Sequence, residues 1–227
     1  MDILTFDELP QGGFAGLREK RFVVDRRLFG NNKNTAFQDG IGNFVYLADA
    51  NFVPNGETGL HPHREIDVIS IMVDGNISHA GSLEHGQGLA AGMVQVQRAG
   101  GEGFEHNEIN PDDTKNHMIQ IWVTPDEPGE PGEPAGYKVY NPKSGELVHV
   151  YGGSKDQDER FYSKTHIDVV NTIPEQSIAH TGDFMAYLSK GSGTINGKTV
   201  APRTLIRASS MDFKAEDAGQ LILIYTS

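Results

Sequence analysis

The chain has 227 residues, with 31 acidic and 19 basic side chains and a formal net charge of −12. This acidic balance argues against general affinity for nucleic acid or anionic membranes, because both need basic surface. Cysteine is absent, which excludes disulfides, thiolate ligands and a cysteine nucleophile and suits a reducing, cytoplasmic location. Because we find neither a basic, apolar leader nor an apolar run approaching 18 residues, we expect no signal peptide and no transmembrane helix.

Short apolar runs rich in Val, Ile and Phe, separated by Gly, Asn and Asp, dominate the chain. In chain order, five of these runs predict strands: 42–47, 67–73, 93–97, 118–123 and 221–225. We find no long window with a strong 3.6-residue period, so we expect only a few short helices. Many short strands with little helix are typical of an all-β barrel or sandwich.

A proline-rich segment divides the sequence. Residues 125–134 contain four prolines, which cannot donate ladder hydrogen bonds, so we predict an exposed and extended linker there. The expected domains are therefore 1–135 and 136–227.

The two parts of the chain resemble each other. Residues 70–78 can be aligned with 186–194, and the strand 120–124 with 222–226. An internal duplication is the economical interpretation, although β-hairpins resemble one another in any case.

Two pairs of side chains have the spacing of a shared metal site. Only Pro62 separates His61 from His63, and one residue separates His106 from Glu108. Side chains at i and i+2 of an extended segment project to the same side, so three imidazoles and one carboxylate meet if these strands are neighbours. Such a set suits a divalent metal, iron first, with manganese, nickel, copper or zinc possible. With nine histidines in the chain, either pair alone is weak evidence.

The other histidines are interpreted as structural or surface residues. His79 and His85 lie in a predicted hairpin connection, where a solvated side chain is the default. His117 opens a strand and is expected to make local hydrogen bonds. Three histidines are isolated from one another in the sequence and are given no role: His149, His166 and His180. We find neither a nucleophile elbow nor a phosphate-binding loop motif.

The segments that carry the two predicted ligand pairs resemble motifs of a known family. Residues 59–67 look like the first cupin motif as pirins write it, with His-Pro-His followed by an acid. Residues 92–110 look like the second motif, with its His-x-Glu pair and an asparagine, Asn110, four residues after the histidine. The segment 120–125 is also similar to pirins. The match is specific over about residues 40–125 and loose elsewhere.

The resemblance to pirins implies a bicupin, with two jelly-roll-like cupin β-barrels in one chain and a metal only in the N-terminal barrel. It also implies four metal ligands, usually of iron: His61, His63, His106 and Glu108. Some bacterial pirins are quercetin 2,3-dioxygenases, and the animal member is a nuclear cofactor of transcription.

The second half of the chain and the N-terminal segment refine these expectations. In the internal alignment, Ser177 and Ala179 stand where His61 and His63 stand, so we expect no metal ligands in the second barrel. The segment 12–22 lacks the His-Thr-Phe-Ser-Phe sequence usual in pirins. Because that segment helps to shape the pocket mouth, the substrate is left open.

Three functions are compatible with these residues. The first is an iron-dependent dioxygenase acting on quercetin-type flavonols or a similar aromatic enol, with Glu108 as the general base that accepts the hydroxyl proton. The second is a non-catalytic metal-binding protein whose redox state regulates a partner protein. The third is a metal-free bicupin with vestigial histidines. We take the first as the working hypothesis, with Fe(II) and a small aromatic substrate, and without nucleic acid or membrane as a partner.

Overall fold

The computed structural model describes residues 1–30, 34–83, 86–127 and 134–227. Within these ranges the chain is almost entirely β, with one 3-10 helix (Phe6–Glu8) and one α-helix, α1 (Arg26–Phe29). The strands are β1 (Asp2–Thr5), β2 (Gly12–Phe14), β3 (Leu17–Val24), β4 (Phe44–Phe52), β5 (His61–His63), β6 (Asp67–Asp74), β7 (Asn76–Gly81), β8 (Gln87–Ala90), β9 (Val94–Arg98), β10 (Phe104–Ile109), β11 (His117–Val123), β12 (Gly136–Tyr140), β13 (Leu147–Gly153), β14 (Ser163–Thr172), β15 (Ser177–Lys190), β16 (Gly193–Ile195), β17 (Lys198–Val200), β18 (Thr204–Ala215) and β19 (Gly219–Thr226). The predicted all-β class with few short helices is confirmed. No helix within the described ranges is long and apolar enough to cross a membrane.

The N-terminal unit comprises Leu9–Asn141 and is built from two sheets. One is a seven-stranded sheet in the order β12-β9-β6-β11-β4-β3-β2, and the other is a four-stranded sheet in the order β5-β10-β7-β8. Fully buried side chains such as Phe52, Met72, Ile77 and Met118 form one apolar cluster of this unit. The strands that carry both predicted ligand pairs, β5 and β10, belong to the smaller sheet.

The second unit comprises Met1–Glu8 together with Pro142–Ser227. Its sheet runs in the order β13-β14-β19-β15-β18-β16-β17, and β1 also pairs with β18. The observed division differs from the predicted one at residue 135 in two respects. The break falls after Asn141, because β12 still pairs with β9 of the first unit. The first eight residues belong to the second unit, because β1 forms a ladder with β18 that local patterning could not reveal. Most of the predicted linker 125–134 lies outside the described residues, as does His85.

Strand register refines the predicted internal duplication. Ser70 of β6 pairs with Gln120 of β11, and its counterpart in the alignment, Ala186 of β15, pairs with Leu223 of β19. Gln120 therefore corresponds to Leu223. The predicted alignment placed Gln120 on Ile222 and is wrong by one residue, a slip that exchanges the two faces of the strand.

A close backbone approach in the four-stranded sheet gives a stability prediction. A Cβ atom on Gly81 would lie 2.3 Å from the Glu105 carbonyl oxygen, whereas one on Gly88 would meet nothing within 4 Å. Overpacking of this kind costs about 1–3 kcal/mol. We expect Gly81→Ala to lower the free energy of unfolding by about 2 kcal/mol in urea titrations. Gly88→Ala, the control in the same sheet, should change it little, and equal stability of both variants would contradict the observed strand spacing.

Candidate metal centre

The register of two short strands brings the predicted ligand pairs together. β5 pairs with β10 in antiparallel fashion, with His61 opposite His106 and His63 opposite Phe104. Pro62 lies between the two histidines and has no N–H to donate, which suits the position of β5 at the edge of its sheet. The predicted condition that the two pairs lie on neighbouring strands is therefore met.

Three imidazole nitrogens converge at this point. The Nε2 atoms of His61 and His63 each lie 3.1 Å from the Nε2 atom of His106. Within the described ranges, these three residues form the one group of histidine and carboxylate side chains with ligand atoms all within 4.8 Å of one another. His106 is fully buried, His63 is almost buried, and His61 is half-buried at the open side.

The tautomers of two of these histidines are determined by their other ring nitrogens. Nδ1 of His61 lies 2.9 Å from the carbonyl oxygen of Gly59, and Nδ1 of His106 lies 2.8 Å from Oε1 of Gln97. Both oxygens only accept hydrogen bonds, so each Nδ1 carries the proton and each Nε2 presents a lone pair. The amide of Gln97 is itself oriented, because Nε2 of Gln95 donates to the same Oε1 at 2.9 Å.

Burial keeps the imidazoles of His63 and His106 neutral. It lowers the pKa of His106 to about 2 and that of His63 to about 4, and repulsion from the neighbouring imidazoles acts in the same direction. Neutral imidazole is the form that binds metal. At physiological pH each of these two imidazoles therefore keeps one ring nitrogen with a lone pair that can bind a metal.

The donor set fits a transition-metal ion. Two facing lone pairs on His61 and His106, 3.1 Å apart, repel each other unless a cation lies between them. Imidazole nitrogens about 2.1 Å from one ion and at right angles to each other are about 3.0 Å apart, which agrees with the observed separation. Three imidazole ligands suit zinc, copper, iron or nickel. His61, His63 and His106 therefore form a candidate metal site.

Glu108, the fourth predicted ligand, lies in the same pocket but outside the group of three nitrogens. Its Oε1 accepts a hydrogen bond from the Ser70 hydroxyl at 2.9 Å, and its Oε2 accepts one from Nε2 of Gln120 at 3.0 Å. Burial raises the pKa of this carboxyl above its usual value. Each oxygen keeps a second lone pair, so the carboxylate can still bind a metal or a proton, and its role as a ligand stays a prediction.

His61 and His63 line a cavity of about 420 Å³. Aromatic rings form much of its wall: Phe14, Phe29, Tyr46 and Trp122. Tyr46 and Trp122 are stacked, with ring centroids 4.4 Å apart and an interplanar angle of 23°. A wall of stacked rings next to a metal site is suited to a flat aromatic ligand. The N-terminal segment expected at the pocket mouth does line this cavity, through Phe14, Glu19 and Arg21.

A second group of polar residues behind His106 was missed in the sequence. Gln97 also donates to Nε2 of His79 at 2.9 Å, and Gln95 accepts from the Tyr137 hydroxyl at 3.1 Å. The expectation that His79 is solvated is wrong, because it lies in β7 and is fully buried. The sequence did contain a signal for these buried polar residues. His79 alternates with Ile77 and Gly81 along β7, and Gln95 and Gln97 share one face of β9.

The remaining histidines also find partners. His117 bonds Oδ2 of Asp49 on the neighbouring strand at 3.0 Å.

The three histidines expected to be isolated instead surround Asp168 in the second unit: His149, His166 and His180. Nδ1 of His149 lies 2.5 Å from Oδ1 of Asp168. The Asp168 carboxylate also forms a hydrogen bond with the Tyr225 side chain. Burial raises the pKa of the Asp168 carboxyl and helps to raise that of Tyr225 to about 12. Strand pairing at long range creates this cluster, and sequence spacing does not report it.

Comparison with known proteins relates part of the N-terminal unit to a described family. Residues 24–123 match the family model described as Pirin. The quercetin 2,3-dioxygenase of Escherichia coli K12 is 35% identical over 72 residues, 31% of each chain. The pirin-like protein of Caulobacter vibrioides is 31% identical over 153 residues, 65% of each chain. These matches cover less than two thirds of either relative, and the similarity to the Pirin family model is that of residues 24–123.

Solved structures agree over nearly the whole chain. The Escherichia coli pirin YhhW, in complex with nickel(II), matches with a TM-score of 0.80 at 19% identity, covering 98% of this chain and 97% of that one. Quercetin 2,3-dioxygenase from Acinetobacter baumannii matches with a TM-score of 0.68 at 17% identity, covering 98% and 77%. At such identities the likeness shows the fold alone, which is the predicted all-β fold with two cupin domains.

The bond from Gln97 to His106 gives a prediction for metal affinity. Loss of a residue that orients a metal-binding histidine typically costs 10–100-fold in affinity. We expect Gln97→Leu to weaken Ni(II) or Fe(II) binding by about that factor, measured by calorimetric titration. Gln97→Glu keeps an oxygen acceptor for the Nδ1 proton and should restore most of the affinity. Unchanged binding by the leucine variant would show that the tautomer is set in another way.

The lowered pKa values of His63 and His106 predict the pH dependence of stability. Below pH 6.5 His63 and His106 are protonated in the unfolded chain but stay neutral in the folded, metal-free protein. Acid therefore favours the unfolded state. Between pH 7 and pH 5, each histidine should remove on the order of 2 kcal/mol from the free energy of unfolding. Urea titrations in a chelator, followed by the fluorescence of Trp122, measure this loss. His63→Gln should lose less stability than the wild type over this range, and an identical pH slope would contradict the prediction.

Proposed function

We propose that this chain is a metal-dependent dioxygenase that acts on quercetin-type flavonols or a closely similar aromatic enol. The observation that carries the proposal is the convergence of three Nε2 atoms beside a cavity with a stacked aromatic wall. The names of its relatives support the same chemistry, because two of them are quercetin 2,3-dioxygenases. Iron as the native metal and a cytoplasmic location are further parts of this proposal.

His61, His63 and His106 would hold the ion, with Glu108 as a fourth, weaker ligand. When bound, the ion would supply Lewis acidity and a redox couple for chemistry with dioxygen. A flavonol presents a 3-hydroxyl group next to a carbonyl, a pair of oxygens suited to positions that the protein leaves open. The stacked rings of Tyr46 and Trp122 orient the flat substrate and exclude water from one of its faces.

Glu108 is the proposed general base. Its burial raises its pKa, so the carboxylate holds a proton more readily than an exposed one would. The Ser70 hydroxyl and the Gln120 amide keep both oxygens in place while the 3-hydroxyl proton is transferred. Loss of this proton leaves the flavonol as an enolate, the electron-rich form that reacts with dioxygen.

The test is flavonol consumption by protein reconstituted with Fe(II) in the absence of air and then exposed to it. Quercetin loss is followed by absorbance and metal content by elemental analysis. We expect His106→Ala and His61→Ala to lose both the metal and turnover. Glu108→Gln should lower kcat about 10²–10⁴-fold, the usual contribution of a general base, while most of the metal is kept.

Two outcomes would change the interpretation. Complete metal loss in Glu108→Gln would make the carboxylate chiefly a ligand. Stoichiometric metal with no flavonol loss, for iron, manganese, nickel, copper and zinc alike, would contradict the enzyme proposal. The non-catalytic metal-binding regulator would then be the better interpretation, and a wild type that takes up none of these ions would instead favour the metal-free bicupin.

A further inference from the structure

A polar cluster on the cavity wall takes no part in holding the metal or in the proposed proton transfer. Glu19, Arg21 and Tyr46 all line the cavity. Nε of Arg21 donates to Oε1 of Glu19 at 2.7 Å, NH2 lies 2.6 Å from the same oxygen, and the Tyr46 hydroxyl donates to Oε2 at 2.7 Å. Glu19 is buried, so its carboxylate fixes both partners from behind.

Arg21 keeps hydrogen-bonding capacity that the protein does not use. A guanidinium carries five N–H donors. Two of these N–H groups bond Glu19, and a third bonds the Tyr46 oxygen. The Tyr46 hydroxyl itself donates its hydrogen bond to Glu19. At least two donors are left, and 41% of the Arg21 side chain is exposed although its partner Glu19 is buried. Because Arg21 lines the cavity, these remaining donors can reach a ligand bound there.

Strand register gives the separation between the backbones of Arg21 and Gln120, two residues that line the cavity. Gln120 on β11 pairs with Ala48 on β4, and Ala48 pairs with Arg21 on β3, so all three side chains project from one face of the sheet. Two strand spacings separate the backbones of Gln120 and Arg21, which is about 10 Å. Gln120 holds Glu108 beside the histidines. The candidate metal site therefore lies beside Gln120 on one side of the cavity, and the backbone of Arg21 lies about 10 Å from that of Gln120 on the other side.

The part of the wall between these two sides is not polar. Ala48 lies between Gln120 and Arg21 in the register. The stacked rings of Tyr46 and Trp122 form the next pair on the same face of β4 and β11. A ligand that reaches both sides must therefore be flat and aromatic in the middle and must carry oxygen at both ends.

We propose that Arg21 is a specificity-determining residue that donates hydrogen bonds to an oxygen substituent on the distal ring of a polyphenol held at the histidine site. The ligand class is a planar polyhydroxylated aromatic, and the bare ring system is disfavoured. This inference rests on the proposed binding of a flavonol-like molecule at the histidines, but not on turnover. A site built to bond a substrate hydroxyl discriminates strongly against the analogue that lacks it.

Binding can be measured apart from catalysis because Trp122 is the single tryptophan of the chain and lines the cavity. The protein is loaded with Zn(II), which has no redox chemistry, and is titrated with quercetin or with 3-hydroxyflavone. Both ligands carry the 3-hydroxyl and carbonyl pair, but only quercetin has further ring hydroxyls. Quenching of Trp122, corrected for ligand absorbance and repeated by calorimetry, gives the two Kd values.

We expect the wild type to bind quercetin at least tenfold more tightly than 3-hydroxyflavone. Arg21→Met should reduce this ratio to within about twofold, while the Kd of 3-hydroxyflavone stays unchanged. Arg21→Lys should retain part of the ratio. Arg18→Met is the matched control, because Arg18 lies on the same strand, bonds backbone carbonyls and does not line the cavity.

The outcomes separate this inference from the proposed activity. If no metal supports turnover but the ratio falls only in the Arg21 variants, the inference stands and the dioxygenase proposal fails. If turnover is observed but Arg21→Met weakens both ligands equally, or neither, the Glu19–Arg21 pair is structural and the inference is wrong. If the wild type binds neither ligand, both proposals are overturned.

Discussion

The candidate site depends on one backbone pairing, that of β5 with β10. β5 is three residues long, and its antiparallel register sets His61 directly opposite His106. Each of these rings is then oriented through its second nitrogen, by the Gly59 carbonyl in one case and by Gln97 in the other. Two lone pairs are thereby made to face each other at 3.1 Å, an arrangement that opposes folding until a cation joins them. The structure is therefore prepared for an ion, and the rest of the unit supports this strand pair.

Support comes from polar groups buried behind the site. A buried imidazole or carboxylate is tolerated only when its hydrogen bonds are satisfied. Gln97 satisfies His106 and His79 together, while Ser70 and Gln120 satisfy both oxygens of Glu108. These partners come from β6, β9 and β11 of the larger sheet, and the groups they satisfy lie on β7 and β10 of the smaller one. The two sheets meet at this polar layer, which explains why strands that look apolar in the sequence carry glutamine and serine on their inner face.

The two units use one strand frame for different polar groups. Once the one-residue shift is applied, register equates three pairs of wall residues: Trp122 with Tyr225, Tyr46 with His166, and Arg21 with His149. Both units keep a stacked ring pair at this place. The middle strand of each group differs, however: β4 of the N-terminal unit carries Ala48 at the position where β14 of the second unit carries Asp168. The buried carboxylate of Asp168 bonds His149 and Tyr225, whereas Arg21, the counterpart of His149, bonds Glu19 of its own strand.

The sequence by itself determined what depends on neighbouring residues. Alternation along a strand is local, so the shared face of His61 and His63, the all-β class and the His-x-Glu pair could all be predicted. Tertiary structure decided which strands meet and in what register. It buried His79, placed Gln97 behind His106, turned Arg21 into the cavity and gathered three histidines around Asp168. These contacts join residues far apart in the chain, and a slip of one residue reverses every face, so spacing alone could not determine them.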